Sequence, residues 1–226
     1  MTLVGDAIRE RRGNKEKTEE LRRRILDVAV ELFIEQGYDK TTTRQIIQKA
    51  GILNGSLYHL FKNKEEIFSA AITEALWEAV DAARDYLPDA NILMRLGFPI
   101  LMPVYIASKS ECLAELLARA GKNWDSMNEL CDVFTMWIKD NDTDHLFDTE
   151  APDFRFRLCA CIGAQANVVE QYARDPGSID AESAMCIVAS ILLDIFMIPH
   201  EDLRSKVSDI YSIIAEHDIV ICGISI

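Results

Sequence analysis

Apolar positions recur at helical spacing along nearly the whole chain. Leu21, Ile25, Val28, Ala29, Leu32 and Phe33 make one stripe, predicting a helix from about Thr18 to Gln36, with Glu19 and Glu20 at the positive end of its macrodipole. Gly37 stops it, and Tyr38 is placed to wedge behind it. Thr42 and Gln45 have capping-box spacing, so a short helix carrying Ile46, Ile47 and Ala50 begins there and ends at Gly51. Asn54 and Ser56 can each cap a second short helix, with Leu57, Leu60 and Phe61 on one side and Asn54, Ser56, Tyr58 and His59 on the other. Asn63 can cap a long fourth helix that runs through Ile67, Ala71, Ile72, Ala75, Leu76, Ala79 and Ala83 to about Leu87. Further helices are predicted at 91–108, 110–120, 123–140, 153–174, 180–197 and 201–216. Pro88, Gly121, the 140–144 stretch, Asp175-Pro176-Gly177 and Pro199 separate them, and Pro99 and Pro103 should kink or divide the first. The end, I-V-I-C-G-I-S-I, is apolar and strand-like.

The fold class is therefore all-α. Two short helices with a glycine-containing turn form a helix-turn-helix, whose second helix can lie in the DNA major groove. Asn and Ser suit base edges, while Tyr58, His59, Lys62 and Lys64 can reach phosphate oxygens. A polar helical hairpin that is plain surface has the same pattern, so periodicity alone leaves both readings open.

Charge changes the picture only when divided. The chain carries a net −13. Residues 1–76 have a net +1 and the remainder −14, so the acidity belongs to the second region. Within the first region Arg9, Arg11, Arg12, Lys15, Lys17 and the Arg22-Arg23-Arg24 run are clustered, which sets local phosphate attraction. The segment before Thr18 is a candidate minor-groove arm.

The order Ala50-Gly51-Ile52-Leu53-Asn54-Gly55-Ser56-Leu57-Tyr58-His59-Leu60-Phe61-Lys62-Asn63-Lys64-Glu65-Glu66-Ile67, with Gly37-Tyr38 and Thr42 before it, resembles the DNA-binding signature of the tetracycline-repressor (TetR) family of bacterial regulators. The resemblance covers the first third of the chain. It implies an N-terminal three-helix helix-turn-helix domain, residues 1–76, joined by a long helix to a helical effector-binding and dimerisation domain, residues 77–226. Two departures stand out. Leu53 replaces the usual polar cap, so capping should pass to Asn54 with a later helix start. Ile47 replaces a small residue where two helices approach, and needs a compensating gap.

On this reading Thr42, Thr43, Tyr58, His59, Lys62 and Lys64 lie near phosphates, and Arg44, Leu53, Asn54, Gly55 and Ser56 near bases. An effector pocket is expected among Phe98, Met102, Tyr105, Trp124, Met127, Phe134, Trp137 and Phe147, with Asn123, Asp132 and His145 as polar anchors; ordinary core packing is the competing reading of the same residues. An inward carboxylate there would favour a cationic ligand. The family implies that Ala160, Gly163, Ala164 and Asn167 on one helix and Ala184, Ile187, Val188, Ile191 and Ile195 on the next form a homodimer interface, although packing within one subunit explains the same stripes.

Six cysteines sit in apolar helical patterns and read as reduced, mostly buried hydrophobes. The sequence holds none of the hydrolase, metalloprotease, P-loop or dinucleotide signatures, and no cofactor or metal is expected. The 140–144 run lacks the glycine and glutamate of a calcium loop and reads as an acidic turn. Without a secretion signal, and with its longest apolar run interrupted by Asp194, the chain is expected to be cytoplasmic and off the membrane. The function expected is a repressor that binds a palindromic operator as a homodimer and is released by a small molecule. An all-helical enzyme or a protein-interaction module with a vestigial helix-turn-helix is the alternative.

Overall fold

The computed structural model describes residues 3–225 except 176 and 200, with side chains from residue 15 onward. Among the described residues there are ten helices and one small hairpin: α1 Leu3–Gln36, α2 Thr43–Ala50, α3 Asn54–Leu60, α4 Lys64–Tyr86, α5 Ile92–Lys109, α6 Glu111–Lys122, α7 Trp124–Asn141, α8 Phe154–Arg174, α9 Ala181–Ile195, α10 Leu203–Glu216, then β1 Val220–Ile221 and β2 Ile224–Ser225. They form two compact units, residues 1–71 and 72–226, so the division falls inside α4.

In the first unit α1 begins at Leu3, well before Thr18, because the preceding R-E-R-R and K-E-K runs are themselves good helix formers. The arm expected there is backbone helix from Leu3, and the side chains of Arg9, Arg11 and Arg12 lie outside the described residues. Ile25, Leu26, Ala29 and Phe33 from α1, Ile46 from α2, Leu57 from α3 and Ile67 from α4 are buried together. Phe33, Tyr38 and Phe68 make a ring cluster with centroids 5.1 to 5.7 Å apart, so Tyr38 does wedge into the core. Lys49 ties α2 to α1 through Glu31 and Glu35, each 3.0 Å away, and these carboxylates raise its pKa, with Glu31 the largest cause.

The second unit is a helical stack in which α8 packs on α5, α6, α7 and α9. Prolines 99 and 103 lie within α5, which is one continuous helix through both. By length and composition α5 could cross a membrane, but 61% of that apolar window is buried inside the protein. Gly121 is not a break. It sits near the end of α6, where a Cβ would meet the Ala166 Cβ of α8 at 2.5 Å, so only glycine allows that approach. The apolar end folds back as the hairpin, with Ile221 opposite Ile224 and positive φ at Cys222 and Gly223, the conformation a two-residue hairpin turn requires. Cys222 N–H donates to the Glu78 carboxylate of α4, holding the hairpin onto the stack.

Candidate nucleic-acid interface and cavity

Local chemistry sets the two short helices. Thr42 caps α2 reciprocally with Gln45: the Thr42 hydroxyl accepts the Gln45 N–H at 3.3 Å, and Gln45 Oε1 accepts the Thr42 N–H at 2.8 Å. Gly51 ends α2 at φ 65, a left-handed position cheap only for glycine. The expected shift of capping to Asn54 does not occur. Leu53 holds the N-cap position in extended conformation without a side-chain hydrogen bond, and α3 starts at Asn54. The Leu53 side chain stands 79% exposed.

Leu57 anchors α3, and Phe61 just beyond it is also buried. Asn54, Gly55, Tyr58 and His59 are exposed and Ser56 is half-exposed, so one ridge of the helix faces outward. Thr43, Arg44, Ile47, Asn54 and Tyr58 line an open groove of about 380 Å³ between α2 and α3. The Thr43 and Tyr58 hydroxyls are 3.3 Å apart across it. Thr42, Arg44 and Lys62 are exposed beside this ridge.

Lys64 departs from expectation. Its ammonium donates to the carbonyls of Tyr38 at 2.7 Å and Thr41 at 2.8 Å, and lies 4.0 Å from the Tyr38 ring centroid. That geometry ties the start of α4 to the loop before α2. Two of the three ammonium donors of Lys64 are thereby engaged by loop carbonyls, which gives it a structural role beside the phosphate contact expected of it.

The second unit contains a cavity of about 100 Å³, lined by Ile72, Ala75, Leu76 and Ala79 of α4, Pro99, Met102, Pro103 and Ile106 of α5, Leu117, Ala120 and Gly121 of α6, Met127, Leu130 and Phe134 of α7, Ile162, Gln165, Ala166 and Val169 of α8, and Ile221 of β1. Of the expected pocket residues, Met102, Met127 and Phe134 line it. Phe98, Tyr105, Trp137 and Phe147 are buried elsewhere in the core, His145 is exposed, and Asn123 caps α7. Trp124 is 77% exposed. Asp132 is bound outside by Arg155. Aromatic content marked the core at large; the void lies where two prolines and small residues leave space. Ile72, Ala75, Leu76 and Ala79 were legible as the apolar stripe of α4 but carried no sign of facing a void.

On α8 the stripe expected for pairing is open: Ala160 and Asn167 are exposed, and nothing lies within 4 Å of a Cβ built at Gly163. Ala184 and Val188 are instead fully buried in their own unit, whereas Ile187 is 45% exposed and Ile191 and Ile195 are intermediate. The α9 face is broad enough to serve the core with one edge and the surface with the other. Phe156, 78% exposed one turn before Ala160, belongs to the same open stripe and was missed, though its spacing from Ala160 was readable.

A family model described as bacterial regulatory proteins, tetR family, matches residues 25–71, spanning the second half of α1 through the start of α4. The likeness to that family is carried by this stretch of the first unit. The transcriptional regulator AcrR of Shigella flexneri is 39% identical across 67 residues, 30% of this chain and 29% of that one. The regulator QacR of Staphylococcus aureus is 43% identical across 60 residues, 26% and 32% of the two chains, and the repressor KstR2 of Rhodococcus jostii is 52% identical across 46 residues, 20% and 22%. The match thus spans about a third or less of the length of these relatives. Solved structures extend the likeness of fold beyond the TetR-family domain: the RolR complex with resorcinol has a TM-score of 0.62 at 18% identity, covering 86% of this chain and 96% of that one, and the fatty acid degradation regulator FadR of Bacillus halodurans 0.53 at 19%, covering 75% and 96%.

Proposed function

We propose that the protein is a ligand-responsive transcriptional regulator, most simply a repressor, that binds a roughly palindromic DNA operator as a homodimer and leaves it when a small molecule occupies the second unit. The observation that carries this reading is the outward ridge of α3 in a domain of TetR-family sequence, since an exposed line of Asn54, Gly55, Ser56, Tyr58 and His59 anchored by Leu57 is what major-groove reading needs. Arg44, Leu53, Asn54, Gly55 and Ser56 would meet bases, and Thr42, Thr43, Tyr58, His59 and Lys62 phosphates. One such helix binds weakly. Two related by a twofold axis read adjacent major grooves ~34–36 Å apart. The open stripe of Phe156, Ala160, Gly163, Asn167 and Ile187 supports that pairing.

Release would act through α4, whose residues 72–79 line the cavity and whose first turns belong to the DNA-binding unit. The coupling would be about 1–3 kcal/mol in operator affinity, as in other allosteric systems. No catalytic role is assigned, and the relatives named above are regulators.

The test is fluorescence anisotropy of the full chain with DNA from its own promoter region across a salt series. Log K should fall by about 0.9 per contacted phosphate per decade of salt. Tyr58→Ala should weaken binding to all sequences, and Asn54→Ala should change which sequence is preferred. Salt-independent binding, or both variants behaving as wild type, refutes the assignment. Sedimentation of Phe156→Asp with Ile187→Asp should yield a monomer; a dimer that persists refutes the α8–α9 pairing.

A further inference from the structure

The wall of the α4–α8 cavity identifies the chemistry of what it can hold. Among the described residues that line it there is no Asp, Glu, Lys, Arg or His, and Gln165 is the one polar side chain. Its Nε2 already donates 2.7 Å to the Ile100 carbonyl, leaving its amide oxygen as the one side-chain acceptor. An ion entering would lose its hydration and find no counter-charge, and it would be excluded. The earlier alternative of a cationic ligand drawn by an inward carboxylate therefore falls, since Asp132 and His145 are both exposed.

Size narrows the class further. A dry apolar cavity of about 150 Å³ in another protein holds benzene. This one is about 100 Å³, but Met102 of α5 and Met127 of α7 both belong to its wall, and thioether side chains shift readily to enlarge a site. Ile221 contributes to the wall from the hairpin, which the Cys222 N–H bond to Glu78 ties to α4.

We propose that the ligand of this cavity is an uncharged, largely apolar molecule of single-ring size, carrying at most one hydroxyl, which would be met by Gln165. This rests on reading the second unit as an effector domain, and it adds the ligand's charge and size. Ile221 then sets the upper size limit from the hairpin.

The experiment uses full-length protein labelled with ¹³C at its methionine methyls and titrated with toluene, benzoate and benzylammonium, three probes with the same ring and different charge. Toluene should shift the Met102 and Met127 methyls and saturate, with the two ions at least ~100-fold weaker because each would be buried unpaired. Ala75→Phe should fill the void and abolish the toluene shifts, with its melting curve reporting whether it folds. Ile221→Ala should admit naphthalene, which the wild type refuses; this variant removes bulk at the hairpin and tests the site even if Ala75→Phe does not fold. Either ion shifting the methyls as strongly as toluene overturns the proposed class while leaving a small-molecule site in place. No shift with any probe makes the void a packing defect and overturns the proposal. A parallel operator titration separates the two readings: toluene binding at the cavity without loss of DNA affinity supports the ligand class and refutes release by that ligand.

Discussion

Replacing Lys64 with methionine should destabilise the DNA-binding unit and should not act chiefly on DNA affinity. The substitution keeps the side chain's length and apolar stem but removes the ammonium that bonds the Tyr38 carbonyl at 2.7 Å and the Thr41 carbonyl at 2.8 Å. Hydrogen bonds from a charged donor contribute roughly 1.5–3 kcal/mol each. The side chain is half-exposed, so water can re-solvate part of what is lost. Tyr38 also keeps a second hydrogen bond, from the Thr41 N–H at 3.1 Å. The ring contact at 4.0 Å from the Tyr38 centroid adds about 0.5–1 kcal/mol. A net loss of about 2–3 kcal/mol is expected, against a change within about 0.5 kcal/mol for the exposed Lys62→Met. Urea unfolding followed by circular dichroism gives the stabilities, and operator binding across a salt series gives the slopes. Lys62→Met should flatten the slope by about 0.9. If Lys64→Met leaves the unfolding midpoint in place and flattens the salt slope by that amount, its ammonium serves phosphate and the assignment of a structural role is wrong.

Leu53 offers only apolar contact at the reading end of α3, and a thymine 5-methyl is the base-edge group that suits it. Uracil for thymine at one operator position should therefore cost the wild type about 1 kcal/mol, and Leu53→Ser should erase that difference; equal sensitivity in both proteins refutes the contact. Gly121→Ala, which would stabilise an ordinary helix by about 1 kcal/mol, should here lower the melting temperature, because its Cβ would sit 2.5 Å from that of Ala166 and overpacking costs about 1–3 kcal/mol. Cys131 and Cys159 place their sulfurs 2.9 Å apart, so diamide should join them into a cross-link visible by peptide mapping, adding about 3–4 kcal/mol of stability on a loop-entropy estimate; exclusive pairing of other cysteines refutes the geometry. Burial pushes the Cys161 thiol up to about 12. The folded state therefore holds this proton longer than the unfolded chain, so its stabilising effect is intact below about pH 9 and declines as pH rises toward 12; at pH 8 iodoacetamide should leave Cys161 unlabelled until the protein unfolds.

Helix positions in this chain follow from local chemistry. Spacing of three and four residues, the Thr42–Gln45 box and glycine at 51 act within a few residues, so α2 through α10 lie close to where the pattern puts them. The outward ridge of α3 was readable for the same reason: Leu57 and Phe61 on one side dictate what the other side exposes. Length of α1 was not, because a helix-start signal at Thr18 does not prevent good helix formers before it from continuing the same helix. Tertiary structure alone decided the partners that lie far apart in the chain. Lys64 turned inward because folding brought carbonyls 26 and 23 residues away within reach of its amine. Cys131 found Cys159 across 28 residues, and Ile221 reached the cavity wall from the far end of the chain. The α9 stripe split between core and surface, with Ala184 inside and Ile187 outside, as its neighbours occupied only one edge. The cavity itself lies among side chains from five helices and a hairpin, and periodicity reports that a face is apolar without reporting whether another side chain or empty space lies against it.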